Sequence, residues 1–221
     1  MNRVPEPELM DDARQAQAYA EADFSEPHSH FIELFQQAFG RDIGAGNVLD
    51  LGCGPGDIAM RFARAYPAMM VYGVDGAQAM LDFGSRILAR CPELADRVHL
   101  IHGMFPDATL PLNTYDVIIS NSLLHHLHEP QVLWQAIRRY GGVGAPIFIM
   151  DLMRPDSSLK AAALVEAYAA DEPEILRYDF YNSLLAAFRV VEIREQLQLA
   201  GLAHLDVQQV SDRHLAVSGR L

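Results

Sequence analysis

Val48-Leu49-Asp50-Leu51-Gly52-Cys53-Gly54-Pro55-Gly56 is the stretch on which the reading of this chain turns. The residues from Asn47 to Leu51 are mostly apolar and end abruptly in alternating glycines. A helical apolar pattern then runs from about Asp57 to Tyr66. Strand, glycine turn and helix form a unit whose backbone amides can approach a ligand with no Cβ in the way. By itself such a turn is also a plain tight connection, so the flanking sequence must decide.

Outward from this unit the pattern repeats. Met70 to Val74 reads as a strand and Ala77 to Ala89 as a helix, with Pro92 in the loop that follows. Val98 to His102, Tyr115 to Ser120 and Ala145 to Leu152 read as further strands, with a helix from Pro130 to Tyr140. Strands alternating with helices predict an α/β, Rossmann-like doubly wound sheet covered on both faces. Toward the C-terminus, Val191 to Ala200 is a helix closed by Gly201. Leu205 to Val210 and His214 to Ser218 then pair around a tight Ser211-Asp212-Arg213 turn. The expectation is a seven-stranded sheet with only its last strand antiparallel, every earlier link containing a helix.

Two helical additions flank this domain of residues 41–221. Residues 1–40 read as an N-terminal cap, with helical spacing from Asp11 to Phe39 and a break at Ser25, Pro27, His28 and Ser29. Residues 156–188 read as an inserted lid, with helices at Leu159 to Ala170 and Tyr181 to Phe188 joined by Asp171-Glu172-Pro173-Glu174. Tyr19, Tyr178 and Tyr181 are the polar aromatics expected to face a pocket beneath them.

Composition narrows the function. Half of the 221 residues are hydrophobic and 21% are charged, which is globular composition. The net charge of −12 repels a phosphate backbone, so nucleic acid is a poor partner. No run is long and apolar enough to span a membrane, and Met1 to Met10 has neither signal-peptide nor transit-peptide character. The two cysteines, Cys53 and Cys91, have no metal spacing and fit a reducing cytoplasm. A homodimer is compatible with the sequence but nothing in it fixes the oligomeric state.

A dinucleotide fingerprint requires a third glycine where this chain has Asp57, and an acid there opposes a pyrophosphate. Asp50 and Asp57 instead suit a ligand carrying positive charge. These residues resemble the first motif of class I S-adenosylmethionine-dependent methyltransferases of the small-molecule type, and the resemblance runs from about Tyr19 to the C-terminus. It implies S-adenosylmethionine as cofactor and S-adenosylhomocysteine as product. Asp50 then lies near the methionine amino group, Gly52, Cys53 and Gly54 line the cofactor with backbone, and Asp75, followed by Gly76, takes both ribose hydroxyls. The alternative for Asp75 is capping of the next helix. Met80 packs on adenine or in the core. Gly103-Met104-Phe105 replaces the family's Gly-Asp-Ala-like triplet, leaving Met104 and Phe105, or else Asp107, to hold adenine.

The family's acceptor region follows the fourth strand, from Ser120 and Asn121 to His126; Asn121 borders the cofactor, with Tyr19 beside it. His125 and His126 are candidate general bases. With His128 they also invite a metal, but no carboxylate-bearing metal signature accompanies them, so none is expected. Arg154 and Tyr181 are candidate acceptor-binding residues, while Arg138 and Arg139 read as solvated. The expected activity is methyl transfer to a small-molecule acceptor. A non-catalytic S-adenosylmethionine-binding module stays open, and a nicotinamide oxidoreductase is disfavoured by Asp57 and by the terminal hairpin.

Overall fold

The computed structural model describes residues 1–9, 17–19 and 22–221. Its centre is β1 (Gly46–Leu51), hydrogen-bonded in parallel to β2 (Met69–Asp75) on one side and β4 (Val117–Asn121) on the other. With β3 (Val98–His102), β5 (Pro146–Leu152), β6 (Asp206–Gln209) and β7 (His214–Arg220) the sheet order is β3-β2-β1-β4-β5-β7-β6. β7 alone runs against its neighbours, in register from Pro146 opposite Arg220 to Leu152 opposite His214. The tight turn at residues 211–213 permits only that geometry, and the His214 amide closes it on Ser211 Oγ at 2.9 Å.

Side-chain alternation sends successive residues to opposite layers. Leu49, Leu51, Ile118, Ile147 and Ile149 pack with Trp134 and Ile137 of α4 (Gln131–Tyr140) and Ile193 and Leu197 of α7 (Val190–Leu199). Val48, Val117, Ile119, Phe148 and Met150 turn the other way, onto Phe31 and Phe35 of α1 (Ser25–Phe39) and Phe62 of α2 (Asp57–Ala65). Each fully buried Phe contributes about 1.5–3 kcal/mol by leaving water. Trp134 keeps its indole N–H satisfied on Gln196 Oε1 at 3.0 Å. α3 (Gln78–Leu88) follows β2.

Between β5 and α7, α5 (Ser158–Ala169) and α6 (Glu174–Ala186) pack on each other through Ala161, Leu164, Val165 and Leu184, meeting the sheet at Leu152. Pro173 is the residue before the first turn of α6, so the helix opens there and not at Tyr181 as the acidic link suggested. Likewise no break separates Ser25 from Ser29. Pro27 falls in the first turn of α1, where its missing N–H has no partner to lose, and the helix continues to Phe39. The helix expected upstream, from Asp11, falls largely outside the described residues; Gln17 to Tyr19 are helical. The link from β3 to β4 contains no helix, contrary to expectation. It still returns a parallel strand because it crosses to the far side of β1.

Candidate functional site

At the carboxyl end of β1 the chain leaves the sheet sideways. The amides of Gly52 and Cys53 both donate to Val74 O, at 2.8 and 3.1 Å, tying the turn to the end of β2. Gly52 has φ +69°, and a Cβ on it would lie 2.7 Å from the Leu123 side chain, so only glycine fits. Gly54, at φ +52°, has nothing within 4 Å of its Cβ direction. That open face and the helix start at Gly56 form a cradle a side chain would fill.

A cavity of about 760 Å³ opens along this edge. Tyr19, Asp50, Gly52, Cys53, Gly54, Asp75, Gly76, Met80, Met104, Phe105 and Asn121 all line it, together with His125 and His126. Asp50 is almost wholly buried, and its Oδ2 has no hydrogen-bond partner among the described residues. Burial, and then the nearby Asp75, push its carboxyl well above the usual range. A cationic group supplied by a ligand would relieve this cost. Asn121 Oδ1 is a second buried acceptor without a partner among the described residues. Tyr19 packs against Phe24 and alongside Met80, and burial pushes its hydroxyl up to about 12.

Asp75 accepts the Gly54 amide on Oδ2 and the Ala77 amide on Oδ1, each at 2.8 Å. Of the roles foreseen for it, bracing the start of α3 is seen in the Ala77 contact, and the same side chain also lines the cavity. Burial raises its carboxyl, and the two amides oppose the shift. A carboxylate has about four lone-pair directions, so two remain for ligand hydroxyls.

Along the other wall, His125 is buried, and its Nδ1 pairs with the buried Asp151 of β5. Asp151 also accepts the His125 amide at 3.3 Å. The paired carboxylate outweighs the desolvation that would depress His125, raising its pKa. His126, partly buried beside this pair, is pushed down to about 3 by desolvation and by His125. Glu6 reaches both rings, its Oε1 lying 3.5 Å from His125 Nε2 and 3.3 Å from His126 Nδ1.

Several expectations fail here. Arg154 is buried and does not line the cavity: its guanidinium is held by Ala187 O at 2.7 Å and by Glu192, fastening the end of β5 to α7. Tyr181 packs in the α5–α6 cluster and Tyr178 is exposed, because helical phase points Asp179, Phe180 and Ser183 at the cavity instead. Asp57 is not a free negative group awaiting a cation, since His28 Nδ1 and Arg61 Nε each lie 2.6 Å from its Oδ2. Glu6 and Asp151 were missed. Glu6 carried no signal, being over a hundred residues from its partners. Asp151 did carry one, as the only charge in an otherwise apolar strand, where burial demands a partner.

Sheet order, glycine turn and acidic strand ends together define the class I methyltransferase fold. Comparison with known proteins agrees. Residues 48–142 match the family described as a methyltransferase domain. An uncharacterized methyltransferase of Mycobacterium tuberculosis is 31% identical over 104 residues, 47% of this chain and 48% of that protein. A ubiquinone/menaquinone biosynthesis C-methyltransferase of Syntrophotalea carbinolica is 30% identical over 121 residues, 53% of this chain and 48% of its own. The chain thus spans about half the length of the curated relatives it matches. Among solved structures, a SAM-dependent methyltransferase from Aquifex aeolicus superposes with TM-score 0.66 at 17% identity, covering 95% of this chain and 98% of that one. The plantazolicin methyltransferase BpumL, solved with a monoazolic desmethylPZN analogue and SAH, gives 0.69 at 14%, covering 94% and 89%. Residues 48–142 thus match a methyltransferase domain, and they sit in a fold shared with solved S-adenosylmethionine-dependent methyltransferases.

Proposed function

We propose that this protein transfers the methyl group of S-adenosylmethionine to a small-molecule acceptor held beneath α5 and α6. The observation that carries this reading is the buried, unpartnered Asp50 carboxylate at the end of β1, opening on the same cavity as Asp75 and the two histidines. The residues present fit the cofactor. Asp50 would take its amino group, Gly52 to Gly54 would lie along it with backbone, and Asp75 would take the ribose hydroxyls. Met80, Met104 and Phe105 offer apolar contact to a flat ring. When bound, the cofactor supplies an already activated methyl group. What is left for the chain is to orient the acceptor and exclude water.

α5 and α6 supply that closure in this reading: Leu176, Phe180 and Ser183 line the cavity opposite the glycine turn. His125, held by Asp151, is placed to receive an acceptor proton, whereas His126 stays neutral. The net charge of −12 keeps nucleic acid out of consideration as acceptor. Both cysteines are free, and no helix among the described residues is long and apolar enough to cross a membrane. We place the protein in the cytoplasm on that basis.

The test is calorimetric titration with S-adenosylhomocysteine, followed by a screen of hydroxyl, thiol and amine acceptors for turnover of S-adenosylmethionine. Binding with turnover on a small acceptor is the expected result. Absence of binding would refute the reading, and binding with no turnover would replace it by a non-catalytic module.

A further inference from the structure

We propose that Glu6, His125 and His126 bind one divalent first-row transition-metal ion at the floor of the cavity. Their ligand atoms lie within 4.8 Å of one another. Glu6 Oε1 is 3.5 Å from one imidazole nitrogen and 3.3 Å from the other. Ligand atoms about 2.0–2.1 Å from a tetrahedral ion stand about 3.4 Å apart, so both spacings are those of neighbours in one coordination shell.

A hydrogen-bonded cluster is the plainer account of such a group, and the geometry argues against it. Glu6 is nine-tenths buried, with a side-chain exposure of 10%, yet Oε1 makes no hydrogen bond to either ring. Its other oxygen accepts from Ser183 Oγ at 3.3 Å. A buried carboxylate oxygen set between two imidazole nitrogens but bonded to neither is short of a cation. His126 Nδ1 meets Pro7 O only at 3.4 Å, a long contact that an ion would replace, and the rest of the surroundings are those a bound ion uses. Asp151 holds His125 through Nδ1, which fixes the ring and presents Nε2 toward Glu6, the arrangement that orients metal-bound histidines. Asp151 and Asp179 add negative charge around Glu6. Arg3 opposes them, but its guanidinium is spent on Ala186 O, His125 O and Leu127 O, which pins the strap that carries Glu6.

Two imidazoles and one carboxylate select a borderline ion such as Zn²⁺, Fe²⁺ or Co²⁺ over Mg²⁺ or Ca²⁺. Three protein ligands leave a coordination position open, as in catalytic and not structural sites. His125 and His126 both line the cavity, so that position is offered to its contents. On the methyl-transfer reading above, this assigns the acceptor class: a molecule ligating the ion through a hydroxyl oxygen whose proton passes to solvent near neutral pH, His125 then serving as a ligand in place of the proton acceptor.

Chelator-stripped protein would be titrated with Co²⁺ and followed by visible absorption and elemental analysis. One ion per chain is expected, with the bands of a nitrogen–oxygen site and no thiolate charge transfer. Glu6→Gln and His126→Ala should each weaken binding by more than about tenfold. His204→Ala, which removes an exposed imidazole bonded to Arg220 O and not to this cluster, should not. Glu6→Gln alters the surface strap and leaves the sheet intact, so its circular dichroism should match wild type. Acetohydroxamate, an oxygen chelator, should shift the bands of the loaded protein. Failure to bind one Co²⁺, or binding indifferent to both ligand substitutions, overturns the site; unshifted bands overturn the open position. S-adenosylhomocysteine titration of the stripped protein separates the two readings. Cofactor binding without Co²⁺ binding sinks the ion alone, and Co²⁺ binding without cofactor binding sinks the acceptor class while the ion site stands.

Discussion

Replacing Asp75 by alanine tests both jobs this carboxylate holds. In the free protein it removes the acceptor of the Gly54 and Ala77 amides, each at 2.8 Å. Leaving a part-buried donor unpaired costs about 1–3 kcal/mol. Two such donors, with some rescue by water, amount to about 2–4 kcal/mol, or about 5–15 °C in Tm for a domain of this size. The fold should therefore feel this loss, because the residue clamps the glycine turn. In the complex the same substitution would delete the proposed ribose acceptors, and S-adenosylhomocysteine should bind roughly 1.5–3 kcal/mol more weakly, about tenfold to over a hundredfold. A deformed turn would also weaken binding, so the two causes must be separated. Asp75→Asn keeps one acceptor oxygen for the turn, and a 2′-deoxy analogue of the ligand removes one hydroxyl. Calorimetry over the four combinations forms a cycle. If Asp75 touches the ribose, the deoxy ligand loses affinity for wild type and little more for the variant. An equal penalty in both proteins would refute the contact and leave Asp75 a structural clamp.

Asp50→Asn should stabilise the ligand-free protein at pH 7 while weakening S-adenosylhomocysteine. Its carboxyl is raised in the folded state, so the folded protein holds the proton more tightly. Stability therefore declines as pH rises above the unfolded value of about 4, and the amide abolishes that decline. An unchanged melting temperature at pH 7 counts against the unpaired carboxylate. Arg154→Met should cost roughly 2–4 kcal/mol by urea unfolding, since it strips the buried link to Ala187 O and Glu192. The acceptor KM, once an acceptor is found, should stay put; a raised KM at intact stability would restore Arg154 as a binding residue. His214 is buried and pushed down to about 4 by desolvation. The unfolded chain then binds the extra proton between about pH 6.5 and 4, so acidification through that window removes about 2–3 kcal/mol. In His214→Asn the acid limb of the melting curve should flatten, and an unaltered limb would show that His214 is not its source.

Short-range chemistry made much of this molecule readable from its residues. Val48 to Gly56 announces strand, turn and helix because glycine is required where φ turns positive, and the alternation of Ile147, Phe148, Ile149 and Met150 announces a strand buried on both faces. The Ser211-Asp212-Arg213 turn dictated the antiparallel last strand for the same local reason. Helix starts were harder: Pro27 and Pro173 looked like breaks, yet each stands at a helix opening, where a proline costs nothing. Asp50, Asp75 and Asn121 could be placed beside the cavity because strand ends in a parallel sheet share one edge.

Long-range pairing was not legible in this way. Whether Arg154 meets a ligand or Glu192 depends on where α7 packs, and whether Tyr181 or Phe180 faces inward depends on the phase at which α6 docks on α5. The histidines after β4 were conspicuous in the sequence, but their chemistry depends on Asp151 from the next strand and Glu6 from the far N-terminus. Local backbone preference acts over a few residues and leaves its mark in the order of amino acids. The charge, burial and spacing that give a side chain its reactivity are set by neighbours distant along the chain, and exist only once the chain has closed around them.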